Sequence, residues 1–342
     1  MKKPTYLAPV LATSAVAALA VALLPRPARL RRGQVAILTG GSRGLGLALA
    51  HEFGSAGLKL VLAARHRDEL EQARIALLSG RPDTRTNAMG RPSVAHEDDI
   101  LLVDCDLTDP AQAAGLVEAT IKTFGRLDVI VNNAGIIEVG PVENQPLAAY
   151  ERAMQTNFFA ALYTIHAALP YLLNRPDKAH RAIVNISSVG GKIAVPHLLP
   201  YVAAKFALTG FSEGLHAELR LKGVRVTTVC PGLMRTGGEV HASFVGQQAK
   251  EQRWFDFGAK TPGIAAPVES AARQIVRAVQ AGRAEITITP QAWLAARLVG
   301  VAPEASQVFA ALVNQFLLPD ALPEREGETA AGAESLAGLA RG

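Results

Sequence analysis

The chain has 342 residues, of which 49% are hydrophobic and 19% charged, enough for one large α/β domain or two small ones and too apolar for a disordered or fibrous chain. Two cysteines, Cys105 and Cys230, exclude a disulfide framework and a thiolate metal cage; a reducing compartment and no metal are expected. The formal charge of +5 is modest, and Arg26, Arg29, Arg31 and Arg32 crowd one short segment, a membrane-surface pattern with no sign of nucleic-acid binding.

The first element, Tyr6 to Leu24, is nineteen uncharged residues ending in AVAALAVALL, just long enough as a helix to cross a hydrocarbon core. Lys2 and Lys3 before it and the AVA at Ala20 to Ala22 also fit a cleavable export signal. The arginines that follow favour an uncleaved, single-pass anchor that holds the rest of the chain on the cytoplasmic side.

From Gly33 the chain alternates β-rich runs with helical stretches, without an internal repeat. Strands are expected at Gln34 to Thr39, Leu58 to Ala64, Ile100 to Asp104, Leu127 to Asn132, Ala182 to Ser187, Val224 to Val229 and Glu285 to Thr289. Each run is nearly continuously apolar, as strands buried on both faces are. The fold class is therefore α/β, a single doubly wound parallel sheet of about seven strands, preceded by the apolar helix and followed by a helical extension. Ser79 to Asp99 has no apolar periodicity and is read as a surface loop. Gln291 to Pro319 holds two apolar stretches broken at Pro303, each too short to span a bilayer. They are expected to pack on the domain or on a second subunit, with contact to a membrane surface through Trp293 and the Phe309 to Leu318 face as the alternative. The divisions are 1–32 for the anchor and its basic flank, 33–290 for the sheet domain, 291–322 for the extension, and 323–342 for a Gly-, Ala- and Glu-rich tail expected to be disordered.

The first strand runs into TGGSRGLG, Thr39 to Gly46, and then a helix. Glycines at Gly40, Gly44 and Gly46 let a backbone turn tightly and offer its N–H groups to a pyrophosphate at a helix N-terminus. The second strand ends at Arg65 with no carboxylate before Asp68, and Arg43 lies in the glycine loop. Two guanidiniums suit a 2′-phosphate, which favours NADP(H). Asp106 follows the third strand and Asn132 to Gly135 the fourth, where open α/β sheets bind ligands; Asp106 has a competing role as a helix cap, for which Thr108 or Asp109 is better placed.

Ser188 stands at the tip of the fifth strand, and YVAAK places Tyr201 and Lys205 on one face of the next helix. A phenol ionises near pH 10, and a neighbouring cation favours its phenolate. Ser188 is then a donor to an oxygen on which charge develops. His197, between them, is read as a solvated loop residue, with contact to substrate as the alternative.

TGGSRGLG, NNAG, the Ser188, Tyr201 and Lys205 set, and PGLMRT at Pro231 to Thr236 together resemble the short-chain dehydrogenase/reductase family over roughly Gly33 to Thr289. The resemblance implies a Rossmann-type domain that transfers a hydride between NAD(P)(H) and an alcohol or ketone. It implies that Gly40, Gly44 and Gly46 bind the pyrophosphate, that Asp106 contacts adenine, and that Asn132 supports the sheet. It likewise places Ser42, Arg43, Leu45, Arg65, Asn133, Ala134, Gly135, Pro231 and Gly232 against the cofactor, with Thr236 at the carboxamide. Asn157 falls where the family anchors a proton-relay water; Lys205 would hold the nicotinamide ribose and Tyr201 donate the proton. Phe244, Val245, Trp254, Phe255 and Phe257, after PGLMRT, suggest an apolar lid and a lipophilic carbonyl or alcohol substrate. A homodimer or homotetramer rests on the resemblance alone. The competing class is a non-catalytic NADP-binding sensor or scaffold at the membrane, against which the complete Asn157, Ser188, Tyr201 and Lys205 set argues.

Overall fold

The computed structural model describes residues 30–79, 94, 96–175, 177, 179–235, 242–260, 265–322 and 330–331. The segment Tyr6 to Leu24 and most of the 323–342 tail lie outside these residues. Among the described residues, no helix is long and apolar enough to cross a membrane.

The seven expected strands all form, as β1 (Val35–Thr39), β2 (Lys59–Ala64), β3 (Ile100–Asp104), β4 (Val129–Asn132), β5 (Arg181–Ile186), β6 (Val224–Pro231) and β7 (Glu285–Ile288). They pair in the order β3-β2-β1-β4-β5-β6-β7, every ladder parallel. The order reverses between β1 and β4, the crevice at which such sheets bind ligands.

Why the runs are apolar on both sides is visible in the packing. Ala36, Leu38, Leu60, Leu62, Val129 and Val131 point into one layer, where α1 (Gly44–Ser55), α2 (Arg67–Ser79) and α8 (Val268–Gln280) cover them. Val35, Ile37, Val61, Ala63 and Ile130 point into the other, filled by Leu116 and Val117 of α3 (Pro110–Phe124) and Ile165, Ala168 and Leu172 of α5 (Ala160–Leu173). The helix α3 shows how local chemistry sets an element. Asp109 caps it, accepting from the Ala111 N–H at 2.8 Å, Pro110 opens it, and Gly125 at φ +70° ends it.

Buried Asp128, at the entrance of β4, ties two strands together. It accepts from Val35 N–H of β1 at 2.9 Å, from Arg126 at 2.7 Å through both its oxygens, and from Arg175 at 3.0 Å. Burial pushes its carboxyl up, but the Arg126 and Val35 hydrogen bonds outweigh that and hold it below the usual range.

The helix α4 (Leu147–Met154) runs into α5 through a π-helical turn at Gln155–Phe159. Past β5 come α6 (Leu199–Leu219), then α7 (Gln248–Lys260) between β6 and α8. Two-residue strands at Glu138–Val139, Ser243–Phe244 and Ala330–Ala331 make a small sheet. Its Val139 and Phe244 cluster with Ala242 and Phe255.

The C-terminal extension forms α9 (Pro290–Val301) and α10 (Pro303–Leu317), broken where Pro303 stands. The helix α10 buries none of its residues, and its end at Phe316 and Leu317 lines a depression with Lys250, Arg253 and Trp254 of α7. Val94, beyond the loop of which 80–93 lies outside the described residues, is buried against Leu77.

Candidate active site

Beyond the carboxyl ends of the strands lies a cleft of ≈ 580 Å³ whose walls hold almost every expected site residue. Its first half is the strand-to-helix turn. Gly44 sits at φ +53°, a backbone that side chains rarely adopt, and a Cβ on Gly46 would come within 2.0 Å of the Gly40 carbonyl oxygen. Arg43, the residue before α1, is extended and gives the helix no side-chain cap, and the first turn has no acid. The helix therefore presents free N–H groups and an uncompensated positive end to the cleft, a donor set that fits an anionic diphosphate.

The loop after β4 is laced to this turn. Asn133 N–H and Ala134 N–H donate to Thr39 Oγ1 at 2.9 and 3.1 Å, and Asn133 Nδ2 donates to the Thr39 and Gly40 carbonyls. Asn132 is buried and donates to Asn185 at 2.8 Å, Asn185 donates to Ser212 at 3.0 Å, and Thr228 donates to the same hydroxyl. This polar chain crosses β4, β5, α6 and β6 beneath the site, as expected of Asn132.

At the far end, Arg65 is exposed on the cleft wall without an ion pair among the described residues. Arg43 is differently placed. It is paired with Glu69 of α2 at 2.7 Å, and Ser42 donates to the other oxygen of the same carboxylate at 2.9 Å. Sequence reasoning had no signal for Glu69, since it is the helical phase of α2 that turns Glu69 rather than Asp68 toward the glycine loop. Asp106 accepts from Thr108 N–H and Oγ1 through one oxygen, while the helix cap falls to Asp109. Pro231, Gly232 and Leu45 line the cleft, and Thr236 lies outside the described residues.

The second half gathers the reactive groups. Ser188 follows β5 and accepts from Gly190 N–H at 3.0 Å, and it shares a hydrogen bond with the Tyr201 hydroxyl. Lys205 is buried and donates from Nζ to the Ile186 carbonyl at 2.8 Å, 5.6 Å from the Tyr201 ring centroid. Asn157 sits in the π-helical turn, a distortion common at functional sites. Its side chain closes on one residue, accepting from Ile136 N–H and donating to Ile136 O, both at 3.1 Å. A Cβ on Gly135 would lie 2.5 Å from Asn157 Oδ1 and 3.7 Å from Lys205 Nζ, so these three meet at one point of the wall.

Burial raises the Tyr201 phenol above its ordinary value, and the Ser188 hydrogen bond only partly opposes this. The Lys205 ammonium is held by the Ile186 carbonyl rather than by the phenol, and desolvation dominates. The same burial brings Lys205 itself down to about 8.

The substrate end is apolar: Val189, Val195, Leu198, Leu233, Trp254 and Phe255 face the cleft. Of the expected lid residues, Phe244 and Val245 are buried in packing and Phe257 is 70% exposed. His197 is not solvated. It is 5% exposed, and its Nδ1 meets Glu251 of α7 at 2.8 Å, a contact that its position in a polar-looking loop concealed.

The sequence profile of the family described as short chain dehydrogenase matches residues 34–243. The chain belongs to the short-chain dehydrogenase family. It is 34% identical over 265 residues to dehydrogenase/reductase SDR family protein 7-like from Anopheles gambiae, covering 78% of each chain. It is 33% identical, also over 265 residues, to 11-beta-hydroxysteroid dehydrogenase A from Sesamum indicum, covering 76% of this chain and 69% of that one. A solved short-chain dehydrogenase from Streptomyces avermitilis, 24% identical, shares the fold with a TM-score of 0.67 over 83% of this chain and 98% of that one. Short-chain dehydrogenases use nicotinamide cofactors on small molecules, so this chain is an oxidoreductase of CH–OH and C=O groups.

Proposed function

We propose that this short-chain dehydrogenase reduces a lipophilic ketone with NADPH at a membrane, its catalytic domain facing the cytoplasm. The observation that carries the proposal is the convergence of Ser188, Tyr201, Lys205 and Asn157 at one end of a cleft whose other wall, toward Leu198, Leu233 and Trp254, is apolar.

The cofactor supplies the hydride when bound; the chain supplies place and proton. The open N-terminus of α1 holds the diphosphate, with Gly40, Gly44 and Gly46 keeping side chains away from it. Arg65 takes the 2′-phosphate, with Arg43 joining it from the glycine loop. Ser188 donates to the carbonyl oxygen on which negative charge develops. Tyr201 delivers the proton to that oxygen. A phenol held above its ordinary value by burial is well suited to remain protonated until then. The Lys205 ammonium, 5.6 Å from the Tyr201 ring centroid, favours the developing phenolate, and Asn157 fixes the loop at Gly135 against which Lys205 packs.

The substrate class draws support from the apolar wall and from the relatedness to an 11-beta-hydroxysteroid dehydrogenase, which makes a steroid-like ketone the first candidate. Membrane attachment draws support from Tyr6 to Leu24 with its arginine flank and from the exposed apolar faces of α9 and α10. The enzyme would act as a homodimer or homotetramer, after its family.

The test is oxidation of NADPH and NADH by the purified protein against steroid ketones, other apolar ketones and 3-ketoacyl compounds, with Tyr201→Phe in parallel. Turnover with NADPH that drops about a thousandfold in the variant is expected. Equal turnover in Tyr201→Phe, or activity confined to small polar ketones, would sink the proposal.

A further inference from the structure

The helix α7 carries a buried carboxylate that the reaction itself does not use. Glu251, in its first turn, is 0% exposed. Its two oxygens face two different elements. His197 Nδ1 lies 2.8 Å from Oε1, and since a carboxylate has no proton to give, the imidazole is the donor. Trp254 Nε1, three residues along the same helix, donates to Oε2 at 2.6 Å.

Both donors belong to the substrate wall. The indole of Trp254 lines the cleft and packs edge-on against Phe255 at 5.9 Å. His197 immediately precedes Leu198, also on the wall, in the segment that enters α6 four residues before Tyr201. Its backbone is at φ +63°, unusual for a residue with a side chain, and its carbonyl accepts from Gly140 N–H at 2.8 Å. A strained backbone of this kind persists only where its surroundings hold it, and here the imidazole is held by Glu251 from below while the carbonyl is held by Gly140.

We infer that Glu251 is a positioning and specificity-determining residue, a clamp that sets the Trp254 indole and the Leu198 segment as one preorganised wall for the apolar part of the substrate. Two features fit the carboxylate. His197 and Trp254 converge on it, and its two oxygens give each an acceptor of its own. Glu251 is itself fully buried, so a leucine of similar size leaves both N–H groups without that acceptor. With both hydrogen bonds gone, Trp254 is free to turn on the cleft wall and His197 to relax, and the wall loses its fixed shape. Glu251 touches neither cofactor nor reacting atoms; it acts through Trp254 and His197.

The inference deepens the reading of an apolar ketone site and rests on it for the substrate, but its first readout needs no turnover. The chain has two tryptophans, so Trp293→Phe leaves Trp254 as the only indole emitter. In that background, Glu251→Leu is expected to shift the emission maximum and to make Trp254 several-fold easier to quench with acrylamide, with NADPH affinity unchanged. In steady state the KM for the best apolar ketone should rise about tenfold, with a smaller change in kcat and none in the KM for NADPH. Trp254→Phe, which keeps a ring on the wall without its N–H, should raise the same KM and lower the melting temperature by a few degrees, since Glu251 loses one donor and keeps His197. That variant carries the test if Glu251→Leu fails to fold. Unchanged emission and quenching, or a KM that rises equally for ketone and NADPH, would overturn the clamp. A shift in emission with no ketone turned over by any variant would instead leave the clamp standing and overturn the substrate reading.

Discussion

Glu69 decides how Arg43 meets a cofactor. Its carboxylate already binds Arg43 and Ser42 on the cleft wall, while Arg65 across from it is unpaired among the described residues. A 2′-phosphate arriving at Arg65 must draw Arg43 away from Glu69 and tolerate a carboxylate nearby, a like-charge contact. Removing that charge should therefore favour the phosphate-bearing cofactor. Glu69→Gln is expected to raise the ratio of kcat/KM for NADPH over NADH about fivefold, the pair being partly exposed and screened, and Arg65→Ala to lower it by at least as much. A ratio that falls in Glu69→Gln would show that the carboxylate organises Arg43 for the phosphate instead. Arg43 and Arg65 were legible in the sequence as basic residues of the glycine loop and of the end of the second strand. That one of them is shared with an acid was not, because the partner lies on another element and is selected by helical phase.

At the scale of elements, the parallel sheet was legible because strands covered on both faces must be apolar at every position, and seven such runs stand between helical stretches. Motif spacing likewise foretold that Tyr201 and Lys205 share a face of α6. The burial of His197 and the Glu251 clamp were hidden, since both depend on a contact between residues distant in the chain, and nothing in the spacing around Asn157 marked its π-helical turn. Asp128 belongs with these. In sequence it stands only within an expected strand, and the structure buries it between β1 and β4 with Val35, Arg126 and Arg175 donating to it. Asp128→Asn keeps the shape and removes the charge that Arg126 and Arg175 face. The expected loss is about 3 kcal/mol in a denaturant titration, at the low end for a broken buried pair because Arg126 is partly exposed. The sign with pH follows from the direction of the shift. A carboxyl lowered in the folded state contributes its full stability above its unfolded value of about 4, and loses it as the pH falls through the lower folded value. The gap between wild type and variant should thus be constant near neutrality and close in acid. A gap that widens in acid would contradict the assignment.

At the scale of the whole molecule, the open question is what covers α9 and α10. Between Pro290 and Pro319 only Arg297 and Glu304 are charged, yet Val301, Phe309 and Phe316 are 84%, 69% and 71% exposed. Such a face is far more apolar than a water-facing helix pair should be. Its flanks are those of an interfacial helix: Arg297 lies 4.0 Å from the Trp293 ring, and Lys250 and Arg253 line a depression with Phe316 and Leu317. Trp254 borders both that depression and the cleft, so a bilayer resting on α10 would lie beside the substrate wall, and an apolar ketone could pass between them without crossing water. The chain without residues 1–29 is therefore expected to sediment with anionic phosphatidylserine-containing vesicles, less so with neutral ones, and to be partly released by salt as the basic flank is screened. Phe309→Asp with Phe316→Asp should abolish sedimentation, since each removes a large exposed apolar side chain and places a charge at the lipid boundary, while turnover of a water-soluble ketone stays unchanged. If the face instead joins two copies of the chain, the parent will not bind vesicles and the double variant will halve its mass in solution. That outcome would move the extension from the membrane to the oligomer and leave the N-terminal segment as the anchor by itself.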